Sequence, residues 1–289
     1  MASDPAPHLI WNVDELPTDL RSPILIAAFE GWNDAGEASS TAARYVRDHF
    51  EAEHVATIDA EDFFDFTVAR PNVCIDDNDA RQIVWPSTGI HVARIPGSAH
   101  DLICAIGHEP QLRWRTFVDQ LAITAEAFGA SMVCTLGALL TDVPHSRPTQ
   151  VYGSSDDEEL ALRLCLSPST YEGPTGIVGV LAAGLRDRGV TTVSFWASVP
   201  AYVSNVPSPK AALSLVERIS QVLDVDLPCT DLEIAAAAYE RQVTELVAED
   251  DSTMEYVERL EEDFDEETTD DPDVLVAEVE DFLRNQPGT

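Results

Sequence analysis

Four stretches bring together side chains that could do chemistry. In "FEGWNDAG", Trp32, Asn33 and Asp34 follow the apolar run "SPILIAA" and precede a helix-like segment. A bulky ring and two polar groups at the carboxyl end of a strand stand where open α/β sheets bind ligands. The same residues have a structural reading, with Asp34 as an N-cap, Glu37 as its capping-box partner, and Gly31 and Gly36 shaping a sharp turn. In "YEGPTGIVG", Gly173, Gly176 and Gly179 enter a helix. Helix N-termini with small residues hold phosphate, but the stretch lacks a Walker lysine and the dinucleotide-binding spacing. Close packing of that helix on the sheet is the other reading. In "TLGALLTDVPHSRP", Thr141, Asp142, His145 and Arg147 follow an apolar strand. They suit binding or polarising a carboxylate or phosphate ester, or equally a turn network around Pro144 and Pro148. In "GHEPQLRW", Glu109, Arg113, Trp114 and Arg115 follow another strand and are expected to cap the next helix.

Other chemistries find no pattern. There is no G-x-S-x-G, H-E-x-x-H or C-x-x-C, and the seven histidines are scattered, so neither a hydrolase triad nor a metal site is expected, and no cofactor. With 52 acidic residues, no catalytic carboxylate pair can be singled out. The net charge of -35 makes nucleic acid and anionic membranes poor partners. Much of the acid falls late, in "AEDDSTMEYVERLEEDFDEETTDDPD", which reads as a solvated tail. Lys210 is the only lysine, a feature attributed to coding bias. Cys74, Cys104, Cys134, Cys165 and Cys229 are widely spaced and read as buried, reduced thiols. The N-terminal "MASDPAPHLIW" has no leader pattern and no run reaches membrane-spanning length, so a cytoplasmic protein is expected.

The elements that must position these residues follow from periodicity. "ILIAAF", "HVATID", "QIVWP", "GIHVARI", "DLICAIG", "SMVCTLGALL" and "VTTVSFWASV" are β-rich, several of them continuously apolar, as strands covered on both faces are. Amphipathic segments at 35–50, 111–128, 156–164, 176–188 and 209–223 lie between them. The alternation predicts an α/β fold, an open, mostly parallel sheet flanked by helices. Residues 60–95 break the rhythm and suggest an antiparallel extension or hairpin. After "DVDLPCT", Leu232, Ala236, Tyr239, Val243 and Leu246 line one helix face. Ser252 and Glu255 predict a capping box for a second helix carrying Met254, Val257, Leu260 and Phe264. The expected division is an α/β core at 1–228, a helical hairpin at 229–264, and an acidic linker with a short terminal helix at 265–289. The hairpin's apolar positions Leu232, Tyr239, Val243, Leu246, Val257 and Leu260, with Phe282 of the last helix, are candidate partner-binding residues.

In order, "FEGWNDAG", "GHEPQLRW", "TLGALLTDVPHSRP", "GPTGIVGVL", "WASVPAYVSNVPSPKAAL" and "DLEIAAAAYERQV" resemble the proteasome assembly chaperone 2 family in its actinobacterial form, over about residues 8 to 264. The resemblance implies an α/β core similar to nucleoside phosphorylases and related hydrolases. It also implies a non-enzymatic chaperone or scaffold that self-associates, with a trimer preferred, and that has proteasome subunits as candidate partners. Eukaryotic members dock through a C-terminal hydrophobic-Tyr-any residue signature, whereas this sequence ends "NQPGT", so docking by that route is not expected. The alternative is a small-ligand binder or enzyme, phosphorylase/hydrolase-like or an ATP-dependent ligase. Its site would lie at the strand carboxyl ends and draw on Trp32, Asn33, Asp34, Thr141, Asp142, His145 and Gly176.

Overall fold

Strand β2 (Ile24–Glu30) shows why the fold forms: residues 24 to 29 are all apolar and all buried, so both of its faces need a cover. The structure, a computed structural model, describes residues 7–270 except 14, 15, 18, 77, 78 and 170. In chain order the elements begin β1 (Leu9–Trp11), β2, α1 (Ala38–His49), β3 (Glu53–Ile58), β4 (Asn72–Ile75), β5 (Arg81–Val84), β6 (Thr88–Ala93), β7 (Leu102–His108) and α2 (Trp114–Ala127). They continue β8 (Met132–Thr141), β9 (Val151–Ser155), α3 (Glu158–Arg163), α4 (Ile177–Arg186), β10 (Thr192–Pro200), α5 (Pro209–Leu223), α6 (Thr230–Val247) and α7 (Asp251–Asp270).

The main sheet has eight strands in the order β1-β3-β6-β7-β2-β8-β10-β9. Its centre, β7-β2-β8-β10, is parallel throughout, and the pairings outside it are antiparallel. Strands β2, β3, β7, β8 and β10 therefore run one way, giving the mostly parallel α/β sheet expected. Alternate residues of β2 face two separate cores. Ile24, Ile26 and Ala28 meet α1 and α5, and Leu25, Ala27 and Phe29 meet α2 and α4.

The rhythm break at 60–95 resolves into a two-stranded antiparallel ribbon, β4-β5, outside the main sheet. The helical hairpin is present as α6 and α7, with a third apolar cluster of Val203, Tyr239, Val243, Val247 and Val257. Two details differ from expectation. The buried stripe of α6 ends on Val247, while Leu246 is 53% exposed, because the spacing from Val243 is a full four residues. Helix α7 is capped by Asp250, whose carboxylate accepts the amides of Ser252 and Thr253. Ser252 thus lies inside the first turn and is not the cap. The helix also continues to Asp270, beyond the expected end at Phe264. The expected terminal helix with Phe282 lies outside the described residues.

Among the cysteines, Cys104 and Cys134 are buried, and burial pushes the Cys104 thiol up to about 12. Cys74 and Cys165 are exposed: Cys74 sits on the ribbon, and Cys165 follows α3 with a positive φ of 52°. All five are free thiols. No described helix is long and apolar enough to cross a membrane.

Candidate functional site

The chain leaves β2 toward α1 on one face of the sheet and leaves β7 toward α2 on the other. The carboxyl ends of these two neighbours therefore open the crevice in which such sheets bind ligands. "GWNDAG" and "GHEP" both stand there, and this crevice is filled by the chain itself. Asn33 is fully buried, and its Nδ2 donates to Glu109 Oε1 at 2.6 Å. The same oxygen accepts the backbone amide of Ile177, first residue of α4, at 2.9 Å. Glu109 thus places a carboxylate at the N-terminus of α4, the position a bound phosphate would take. Gly176 is the residue before that amide, and a Cβ there would lie 2.3 Å from the Asn33 amide group. Its lack of a side chain is explained by contact with Asn33. Gly173 lies outside this contact and is exposed. Glu109 caps α4, 68 residues further on, and not the helix that follows it in sequence.

The rest of the corner is also structural in its contacts. Asp34 Oδ1 accepts the amides of Ser39 at 2.7 Å and Ser40 at 3.1 Å, so it caps α1 across the short 3-10 turn Ala35–Glu37. The expected reciprocal bond from Glu37 is not made; Glu37 takes a left-handed conformation there. Gly36, with φ of 57°, lets the turn approach α5: its carbonyl accepts the Ser208 amide at 2.7 Å, and an added Cβ would meet the Ser208 side chain at 2.9 Å. Trp32 points outward, 66% exposed. Beside it, His108 Nδ1 lies 2.6 Å from Glu30, which also pairs with Arg44. Burial, with Arg44 nearby, holds the His108 pKa below its ordinary value.

The segment after β8 forms a second cluster, which fastens the helical hairpin to the core. The backbone amide of His145 donates to the Tyr202 hydroxyl at 2.7 Å, and its Nδ1 lies 2.8 Å from the same oxygen. Its Nε2 lies 3.0 Å from the Thr244 hydroxyl on α6. That hydroxyl already donates to the Glu240 carbonyl. It therefore accepts from Nε2–H, leaving Nδ1 to accept from Tyr202 in a neutral imidazole. Burial, then Lys210, lowers the His145 pKa, against the opposing influence of Glu240 and Glu261. Lys210 donates to the His145 carbonyl at 2.6 Å and to Glu240 on α6 at 2.5 Å. Arg147 grips Asp265 on α7 with two bonds of 2.7 Å, while Ser146 bonds Glu261 and Asp142 accepts from Tyr256 at 2.8 Å. Thr141 is half-buried at the end of β8, its hydroxyl without a protein partner.

Asn33, Asp34 and Gly176 are thus brought together at one corner, and Asp142, His145 and Arg147 at another. The cavity lined by His145, Arg147, Ser208, Lys210 and Tyr239 has a volume of about 10 Å³, room for one water. An open groove of about 580 Å³ runs between the segment after β8 and α7, lined by Asp142, Tyr256, Arg259, Leu260 and Phe264. Of the hairpin candidates, Leu232, Tyr239, Val243, Val257 and Leu260 are buried within the chain. Sequence reasoning missed Tyr202, Glu240 and Thr244, and set aside Lys210. The one available signal was a solitary lysine in the first turn of a helix, directly after Pro207 and Pro209. Among the described residues, no group of three or more His, Cys, Asp or Glu is arranged to hold a metal.

Residues 28–247 match the model of the PAC2 family. A solved PAC2 family protein from Streptomyces avermitilis is 44% identical, covering 81% of this chain and 99% of its own, with a TM-score of 0.76. A proteasome-assembly chaperone homologue from Mycobacterium tuberculosis is 42% identical over 81% of this chain and 99% of its own, with a TM-score of 0.74. A protein of unknown function from Corynebacterium glutamicum is 27% identical over 91% of this chain and 98% of its own, with a TM-score of 0.81. No curated protein matches the sequence.

Proposed function

This chain belongs to the PAC2 family, and from that premise we propose that it is a cytoplasmic assembly chaperone or scaffold acting on proteasome subunits. It works through protein surfaces and not through catalysis, as a homo-oligomer for which a trimer is preferred. The observation that carries the non-catalytic reading is the Asn33–Glu109–Ile177 contact, in which the chain's own carboxylate occupies the anion position of the sheet's central crevice. The polar residues after β8 support it in the same way, since His145, Arg147 and Lys210 are engaged in holding α6 and α7. The proteasome enters through the relative from Mycobacterium tuberculosis, described as a proteasome-assembly chaperone homologue.

A chaperone of this kind needs a stable body and a solvent-facing surface that binds subunits more tightly before assembly than after it. Trp32 on the rim of the crevice is a suitable anchor, an exposed aromatic seated on a rigid corner. The test mixes the purified chain with purified proteasome α subunits and follows complexes and ring formation by native mass spectrometry. Co-migration and faster ring formation are expected, with Trp32→Ala weakening both. Unchanged assembly and no complex with any proteasome subunit would sink the proposal.

A further inference from the structure

The acidic stretch that reads from the sequence as a solvated tail is, through Asp270, the helix α7, and one side of that helix borders a groove. The opposite wall is the segment that leads from β8 to β9, and the volume of about 580 Å³ is that of a ligand-binding cleft. Its lining is mixed. Val143 and Pro144 on one wall and Leu260 and Phe264 on the other are apolar, while Asp142, Asp263 and Glu266 bring carboxylates. The walls are fixed to each other before anything binds. Tyr256 of α7 donates to Asp142 across the groove at 2.8 Å, and Arg259 lies over the Tyr256 ring, 5.8 Å from its centroid. Arg147, the nearest cation behind this wall, is taken up by Asp265 and Glu261. Asp263 and Glu266 are exposed and meet no arginine or lysine among the described residues.

We propose that this groove docks a cationic segment of a partner protein, with apolar side chains seated against Val143 and Phe264 and lysines or arginines facing Asp142, Asp263 and Glu266. Charge selects this occupant over the two others within reach. Residues 251–270 hold ten acidic residues and one basic, so the α7 wall draws in a cation and repels an anion. The chain's own residues 271–289 follow directly on α7, but they carry five acidic residues and one basic. A second copy brings a net charge of -35. Both approach against the field. The two parts of the lining have separate effects: the carboxylates steer the encounter and set the sign of the partner, and the apolar walls slow its departure. A segment that is basic but not apolar is therefore held weakly, and one that is apolar but acidic is turned away.

The inference is independent of the chaperone reading, and its test contains no proteasome subunit. Fluorescence anisotropy of the full chain is followed with two labelled peptides of equal positive charge, one of lysine and arginine with leucine at helical spacing, the other with serine in place of leucine. The leucine peptide should bind roughly tenfold more tightly or better at about 0.15 M salt. Asp263→Lys with Glu266→Lys should weaken it at least about tenfold. Glu245→Lys with Glu249→Lys makes the same change of charge at exposed positions outside the groove and should weaken it far less. Circular dichroism checks that both variants keep the native helix content. Equal losses in the two variants would show attraction to the whole acidic surface and overturn the site. Equal binding of the two peptides, or binding of neither, would also overturn it. A synthetic peptide of residues 271–289 should leave the labelled peptide in place, and displacement by it would hand the groove to the chain's own C-terminal segment.

Discussion

A single oxygen, Glu109 Oε1, accepts both the Asn33 side-chain amide and the first amide of α4. Glu109→Ala would strand two donors, one of them on a fully buried residue, and a stranded buried donor costs about 1–3 kcal/mol. The expected loss of stability in urea denaturation is therefore about 2–4 kcal/mol, with Glu109→Gln, which keeps an acceptor, losing less than half as much. Gly176→Ala should cost about 1–3 kcal/mol by overpacking, and the cost should largely vanish in an Asn33→Ala background if Asn33 is the obstacle. Additive losses would show that the glycine serves another purpose. His145 supplies a second test. Its folded pKa lies below the unfolded value of about 6.5, so the unfolded chain takes up the proton first as pH falls. The stabilisation is complete above about pH 6.5 and is lost as pH falls from there through the folded pKa. His91, lowered to about 4 by burial and then by His54, acts with the same sign. Thermal midpoints should fall between neutral and mildly acidic pH, and the fall should shrink in His145→Gln; an equal fall in that variant would rule out His145 as a contributor. These residues were visible in the sequence, but their partners were not. Glu109 is 76 residues from Asn33 and 68 from Ile177, and no local spacing encodes a contact that only the sheet order creates.

At the scale of elements, the central strands were legible because burial on both faces leaves an uninterrupted apolar run, as in "ILIAAF" and "LICAI". The short edge strands β1 and β9 were not, since β1 spans three residues and β9 reads "VYGSS" with little apolar character. The hairpin was legible from its four-three spacing, yet its attachment was not, because ion pairs across the fold have no period. That attachment predicts a local effect. Arg147→Ala removes the grip on Asp265 and the nearby charge of Glu261. These are partly exposed pairs, each worth about 1 kcal/mol or less, so the global unfolding midpoint should move little. Hydrogen exchange within residues 256–266 should instead quicken several-fold as α7 opens locally. Charge reversal at Arg147 should be worse, and Asp265→Arg in that background should restore protection. Exchange that quickens equally across the sheet would mean that Arg147 supports the whole fold and not the clamp.

For the whole molecule, the dominant fact is 52 acidic against 17 basic residues, and salt sets two of its consequences against each other. Added salt weakens the surface pairs such as Arg186–Asp156 and Arg188–Asp119, which lowers stability. It also screens repulsion among carboxylates that outnumber their possible partners about threefold, which raises stability. Magnitude decides the sign: exposed pairs contribute about 0–1 kcal/mol each, while the unpaired excess repels over the whole surface at a Debye length of about 30 Å in 0.01 M salt. Raising the ionic strength to about 0.15 M shortens that length to about 8 Å and removes most of the long-range term. The thermal midpoint should therefore rise over this range, because carboxylates in excess repel one another across the surface of a chain with a charge of -35. A midpoint that falls with salt would place the paired arginines above the net charge in holding the fold.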